Sequence, residues 1–349
     1  MRFVRLSTVD AVIAFDLDDV AHSAGGTRLA ADVSEHEAAL LARAMTYKFG
    51  VLGVHLGGAK AVVRSSAAER DDAIRRYCEE IRPLVEARTF LTGADLGTSE
   101  SDFASLRTAD DTRHPIRAVV DGIAFEDLVT GFGVAVACDV ACGPGGLQGR
   151  SVAIEGFGKV GGGVAREVVR RGGRVVAVST VEGCIADPNG LDIERLWSLR
   201  AADGDAFVHL AGVPVSPAVA LFSVECDVLV PGARTGVIDE VVAASVQAPV
   251  VVPASNVPYT RAGLDGLRSR GVGAHADFVC NSGGVLGYRS SPDATPRQVL
   301  DDVGSLISAM TAEAMAHAGG PFAGAVAKAD AFLRTWLRPE QLPGGPPLA

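Results

Sequence analysis

Two lysines stand inside a nearly uncharged run, MTYKFGVLGVHLGGAKAVV at positions 45–63. The apolar stripe Ala38, Leu41, Met45 reaches Lys48 three residues further on, so a helix here points Lys48 inward. Ser34 and Glu37 make a capping box for that helix, which runs to about Tyr47. A strand over Val51–Leu56 and a turn at Gly57-Gly58 then deliver Lys60 at the head of the apolar run Ala61–Val63. A surface lysine whose stem lies along apolar groups is the plainer account of either residue alone. Two of them flanking a glycine turn favour burial. Buried ammonium groups are unfavourable by several kcal/mol unless an anion meets them. A ligand carboxylate suits one. The neighbouring charge and the dry surroundings lower the pKa of the other, which then trades protons near neutral pH. TGADLGTSESD supplies a carboxylate for proton exchange: Asp95, between Ala94 and Leu96 in a glycine-bounded loop, where an exposed turn aspartate is the plainer reading.

A second constellation lies in SVAIEGFGKVGGGVAREVV. Gly156, Gly158 and Gly161 form GxGxxG after the strand Ser151–Glu155 and at the start of a helix, with Phe157, Lys159 and Val160 between them. The first glycine permits a tight turn, the second lets a pyrophosphate approach the backbone, and the third lets helix and strand pack closely. The pattern is weak alone; in a strand–turn–helix setting it points to a dinucleotide, NAD or NADP. The next strand, Arg174–Ser179, ends without the acid that holds an adenosine ribose. Thr180 stands near that place and Glu182 follows, either serving the ribose hydroxyls or simply solvated. Arg171 and Arg174 flank the region, so a 2′-phosphate is also conceivable and the choice of cofactor stays open.

These groups need elements to hold them. Strands alternate with helices, and short apolar runs recur at CDVLVPGA, APVVVPAS and VGAHADFV, which implies a parallel doubly wound sheet. A long helix is expected over 295–318 and a loose tail in LRPEQLPGGPPLA, 337–349. The 349 residues suffice for two domains. The net charge of −10 argues against nucleic-acid binding, and no run is long and apolar enough for a membrane span. The N-terminus shows no signal-peptide pattern. Six cysteines without CxxC suggest a reducing cytoplasm; Cys138 and Cys142 read as inward-packing side chains, and no metal site is expected.

MTYK, GGAK, ADLGT, GFGKVG, CDVLVPGA, ASNVP and CNSGG, with GGTR at 25–28, follow one another over about Gly25 to Gly284. In that combination and order the chain resembles the glutamate/leucine/phenylalanine/valine dehydrogenase family. The resemblance implies an α/β protein: a substrate-binding and catalytic domain over 1–128, joined by a C-terminal helix 313–349, and a Rossmann-type doubly wound domain over 129–312, with a cleft between them. It implies an NAD- or NADP-dependent, reversible oxidative deamination of an L-amino acid to a 2-oxo acid and ammonia, in a homo-oligomer. Lys48 would hold the substrate α-carboxylate, Lys60 would be the catalytic lysine that activates water, and Asp95 would shuttle protons. Gly25 and Gly26 would line the substrate pocket. Thr130 and Asn256 would sit near the nicotinamide, and Asn281 would orient the substrate nitrogen or the cofactor amide.

The departures matter too. Glutamate-specific members place a lysine just before the GG pair and a serine past NSGG; this chain has Ala24 and VLGY. Ala24, Val285 and Leu286 would instead make an apolar side-chain pocket. The stretch RHPIRAVVDGIAFEDLVTG matches the family less closely, the N-terminus is short, and His55 reads as a packed loop histidine. Arg28 ties loops together. Two other readings stay open: an NADP-dependent dehydrogenase of a less common, biosynthetic amino acid, and a non-catalytic dinucleotide-sensing paralogue.

Overall fold

The computed structural model describes residues 1–108, 114–120 and 123–349. The chain divides into two units: Met1–Arg113 with Val326–Pro347, and His114–Ala325 with Leu348–Ala349. The divisions at 113/114 and 325/326 differ from the expected 128/129 and 312/313. Part of the divergent stretch at 113–131 lies outside the described residues.

In the first unit, five strands pair in the order β1 (Arg2–Arg5), β2 (Ala11–Phe15), β4 (Gly57–Val63), β3 (Ser23–Leu29), β5 (Phe90–Ala94). β2 runs antiparallel to β1 and β4, while β3 runs parallel to β4 and β5. Helix α1 (Glu35–Val51) covers one face, with Ala38 and Ala42 against Val12, Ala14 and Val62. Helix α2 (Arg70–Glu86) covers the other, with Ile74, Tyr77 and Ile81 against Ile13, Phe15, Ala59, Ala61 and Val63. Helices on both faces explain why β2 and β4 are apolar almost throughout and wholly buried. Lys60 is the exception in β4.

Two local expectations are corrected here. Ser34 caps α1 by accepting the Glu37 N–H, but the helix continues through Val51, so no strand forms over Val51–Leu56. Gly57-Gly58 are not a turn; they open β4. A Cβ on Gly58 would lie 2.0 Å from the Ala42 carbonyl oxygen and 2.4 Å from the Thr46 nitrogen, so glycine is what lets α1 sit directly on the strand. The tail is not loose either. The Gly345 carbonyl accepts from Arg43 Nη1 at 3.0 Å, Gln341 Nε2 donates to the Asp18 carbonyl at 3.1 Å, and Leu342 packs beside Leu17, Leu333 and Leu337.

The second unit begins with β6 (Val119–Val120) paired antiparallel to β7 (Ile123–Ala124). Its main sheet has the order β11 (Val215–Ser216), β10 (Gly183–Ala186), β9 (Arg174–Thr180), β8 (Ser151–Glu155), β12 (Val228–Val230), β13 (Val250–Val251), β14 (Gly273–Ala274). The five strands β9 to β14 are parallel, with an antiparallel pair, β10 and β11, at one edge. Helix α3 (Phe125–Ala141) packs with α4 (Lys159–Arg170) inside this unit and draws the residues before 128 with it. The chain leaves β8 for β9 on one side and later returns to β12 on the other. Such a reversal of strand order creates a crevice at the carboxyl ends of the strands, and the glycine turn follows β8 at that point.

Candidate active site

Strand alternation aims Lys60 first. Gly58 faces α1, so Lys60 two residues on faces the same layer. The ammonium is buried and pairs with Asp95 Oδ2. Asp95 follows β5 directly; its N–H donates to Thr98 Oγ1 at 2.9 Å, and Thr98 Oγ1 donates to the Thr27 carbonyl at 2.8 Å, which fixes the loop to β3. Arg28 Nε reaches the same Asp95 oxygen at 3.3 Å, and its Nη1 pairs with Glu37 on α1. Two cations thus share one carboxylate oxygen, and a second carboxylate balances them. Burial pushes the Asp95 carboxyl up, but Lys60 and Arg28 together pull harder and hold it well below the ordinary carboxylate range. Burial likewise pushes the Lys60 ammonium down. The Arg28 charge adds to that effect, and Asp95 only partly offsets both, so Lys60 sits below the usual lysine value.

Gly26 completes this corner. A Cβ there would lie 3.0 Å from Asp95 Cβ and 3.3 Å from Lys60 Nζ, so any side chain would press on the pair. A Cβ on Gly25 would meet the Ala59 carbonyl oxygen at 1.6 Å, and Ala24 is half-buried opposite Gly58. Lys48 lies in the last turn of α1 and is buried, as its phase predicted.

The glycine turn of the second unit fits a dinucleotide phosphate. Gly156 takes φ +82°, open to glycine at little strain. A Cβ on Gly161 would lie 1.8 Å from the Gly156 carbonyl oxygen, so the third glycine packs directly beneath the first. Gly158 is the N-cap of α4 and leaves the helix N-terminus uncovered by any side chain of its own. Glu155, just before the turn, is buried and accepts the N–H groups of Gly232 and Ala233 at 3.1 Å each, which fastens the loop after β12 to the end of β8. Burial raises its carboxyl pKa, against those backbone donors and Arg234.

Two family models match the chain: glutamate/leucine/phenylalanine/valine dehydrogenase over residues 122–289, and the dimerisation domain of the same dehydrogenases over residues 5–111. Glutamate dehydrogenase A2 of Halobacterium salinarum is 33% identical over 285 residues, 75% of this chain and 67% of the relative. This chain belongs to the glutamate/leucine/phenylalanine/valine dehydrogenase family. It is an amino acid dehydrogenase, an oxidoreductase acting on CH–NH2 donors with NAD or NADP. The glutamate dehydrogenase of Aeropyrum pernix is 30% identical, and the chain spans about two thirds of the length of these curated relatives. Among solved structures, the hetero-hexameric glutamate dehydrogenase of Thermus thermophilus, in its leucine-bound form, superposes with a TM-score of 0.76 at 27% identity, covering 93% of this chain and 83% of that one. L-tryptophan dehydrogenase of Nostoc punctiforme, at 21% identity and a TM-score of 0.62 over 96% of this chain and 94% of that one, shares the fold.

The other candidate residues of this dehydrogenase have definite partners within the second unit and around α1. Phe157 is fully buried between the rings of Trp197 and Phe207, so only its backbone belongs to the turn. Lys159 is exposed, 3.6 Å from Asp127, and Val160 is partly buried beside it. Thr180 Oγ1 donates to the Asp205 carbonyl at 3.0 Å and accepts the Glu182 N–H at 3.1 Å, while the Glu182 side chain stays largely exposed. Asn281 Nδ2 donates to Asn256 Oδ1 at 2.9 Å and lies 3.2 Å from the carbonyls of Ala254 and Ser255, clamping the loop after β13. In the same loop Val257 has φ +49°, a strained value for a β-branched residue, held by Asp277 accepting its N–H at 2.9 Å. Thr130 Oγ1 donates to the Glu126 carbonyl and accepts the Gly284 N–H; Val285 is partly buried and Leu286 buried in helix α6 (Gly283–Gly287). His55 stacks on Phe332 at 5.0 Å, a packed position.

Sequence reasoning missed two participants. Glu37 was visible only as a capping residue, yet it also neutralises Arg28. Glu155 carried a signal, being a charged residue ending an otherwise apolar central strand.

Proposed function

We propose that this dehydrogenase oxidises an L-amino acid with an apolar side chain, reversibly, to the 2-oxo acid and ammonia. The buried Lys60–Asp95 pair carries the reading. Lys48 takes the substrate α-carboxylate, for which its buried ammonium is a suited partner. Lys60, already pushed toward its neutral form, activates the water that attacks the imine. Asp95 accepts and returns the protons of the amino group; a substrate ammonium arriving beside it competes with Lys60 for the same oxygen. The bound nicotinamide supplies the hydride chemistry, and the chain supplies orientation and charge.

The apolar preference rests on position 24. Alanine stands there in place of a lysine, and the cations nearby are already committed, Lys60 to Asp95 and Arg28 to both Asp95 and Glu37. A second carboxylate at that point would be buried without a partner, which costs several kcal/mol. The names of the curated relatives favour a second reading, glutamate as substrate. Reduction of NAD or NADP, followed by absorbance with each amino acid in turn, separates the two. Turnover on branched or aromatic amino acids with little on glutamate supports the proposal, and turnover on glutamate alone overturns it. The match to a dimerisation domain supports a homo-oligomer, and six free cysteines suit a reducing cytoplasm.

A further inference from the structure

The two arginines that the sequence offered near the ribose are not there. Arg171 Nη1 lies 3.4 Å from Asp139, with its guanidinium over the Phe132 ring, and Arg174 opens β9 at its amino end, donating to the Gly149 carbonyl. A different arginine occupies the carboxyl end. Arg200, on helix α5 (Ile193–Asp203), carries Nη2 to 4.0 Å from the place a Cβ on Gly158 would take, and to 3.6 Å from Asp205 Oδ1. The Asp205 carbonyl in turn holds Thr180, the last residue of β9. One guanidinium therefore stands between the second glycine of the turn and the end of the neighbouring strand, where the adenosine ribose of a dinucleotide lies in this kind of sheet.

We propose that Arg200 reads a phosphate ester on that ribose, so that the enzyme takes NADP. This rests on the dinucleotide reading of the glycine turn. Thr180 is uncharged and its hydroxyl is already engaged, so β9 ends without a carboxylate to accept the ribose hydroxyls. Arg200 is weakly committed: its ion pair with Asp205 is beyond hydrogen-bond length, and its Nε has no acceptor among the described residues. A planar fork of donors matches the oxygens of a phosphate ester, whose charge exceeds that of a lone carboxylate. Two acids oppose it. Asp205 is half exposed and free to swing away, and Glu182 is exposed on the β9–β10 turn beside His209 at 3.9 Å. The arginine wins if the ester comes within its hydrogen-bonding reach.

Calorimetric titration of the full chain with 2′,5′-ADP and with 5′-AMP tests this. The wild type should bind 2′,5′-ADP about ten-fold more tightly, roughly 1.4 kcal/mol. Arg200→Gln should erase that advantage while leaving 5′-AMP within about two-fold, and Asp205→Asn should tighten 2′,5′-ADP by relieving repulsion, a gain that misfolding cannot produce. Equal binding of the two nucleotides overturns the proposal. So does an Arg200→Gln variant that weakens both alike, which would assign the guanidinium to the pyrophosphate. Loss of 5′-AMP binding in Asp205→Asn would make Asp205 a ribose acid of the NAD type and overturn it as well. If neither nucleotide binds the wild type, the dinucleotide reading of the turn fails, and this proposal with it.

Discussion

The corner around Lys60 and the turn around Gly158 are built by opposite means. In the first unit, charge does it: two cations and two carboxylates interlock in a largely buried layer, and burial together with neighbouring charge lowers the pKa of both Lys60 and Asp95. In the second unit, backbone does it: glycines remove side chains so that N–H groups and a helix N-terminus face outward, with Glu155 fastening the loop behind them. Glycine serves both regions but for different partners. At Gly58 it admits a helix to a strand, and at Gly26 it leaves room beside an ion pair. A charge network is tunable and vulnerable to removal of one member. A backbone cradle depends less on any single charge and is vulnerable to added volume.

The largest effect should come from breaking the charge network. Lys60→Ala removes the proposed acid–base group and leaves Asp95 with Arg28 as its one cation among the described residues. Turnover should fall by about 10²–10⁴-fold, while calorimetric binding of the dinucleotide stays near the wild-type value. Loss of nucleotide binding in that variant would show that the two regions are not separable in function. The converse variant is Gly161→Ala. Its Cβ would overlap the Gly156 carbonyl oxygen, so the turn must open. Destabilisation of about 3 kcal/mol is expected, with dinucleotide affinity lost, measured by denaturant unfolding and calorimetry. Wild-type affinity in Gly161→Ala would refute the close-packing role of the third glycine.

A third test separates the units by pH. His275 is buried just after β14, and burial lowers its pKa to about 4. The unfolded chain takes up a proton near pH 6.5 and the folded chain does not, so stability falls as the pH drops from about 6.5 to about 4. The loss reaches about 3 kcal/mol at the lower limit. Urea unfolding at pH 7 and pH 5 should show it, and His275→Gln should flatten the slope. An unchanged slope in that variant would assign the acid sensitivity to other groups. Asp95 is shifted in the same direction, downward, but from the lower carboxylate range, so its stabilising contribution is intact above about pH 4 and is lost only as the pH falls below that. Acid should therefore loosen the nucleotide-binding unit before it discharges the Lys60 corner.

How much of this was legible follows from the same contrast. GxGxxG announces itself because backbone demands act on consecutive residues, and Gly156 and Gly161 meet across a single turn. The inward phase of Lys48 was readable from the stripe on α1 for the same local reason. Gly57-Gly58 misled, because a close helix–strand approach and a turn ask for the same residue, and only the tertiary partner at Ala42 distinguishes them. The grip of Arg28 on Asp95 spans 67 positions, and that of Arg200 near Gly158 joins a helix to a turn; neither leaves a spacing pattern. The ends of β4 and α1 were misplaced because Val51–Leu56 has the apolar composition of a strand, whereas packing of Phe49 and Val51 inside the first unit extends the helix.

The smallest expected effect compares like with like. Lys159 belongs to the glycine turn as Lys60 belongs to the charge corner, yet its side chain is 63% exposed against 4% for Lys60. Its partner Asp127 lies at 3.6 Å, and burial still leaves that carboxyl above its ordinary value, so the pair is weak. Lys159→Ala should change stability by no more than about 0.5 kcal/mol, as exposed pairs do. Its charge near the helix N-terminus should still favour a phosphate, so dinucleotide affinity should drop a few-fold at low ionic strength, and the difference should shrink as salt screens it. A salt-independent loss would mean that Lys159 is desolvated against the phosphate. The second region would then rely on buried charge, as the first does, and the contrast between the two would reduce to a difference in packing.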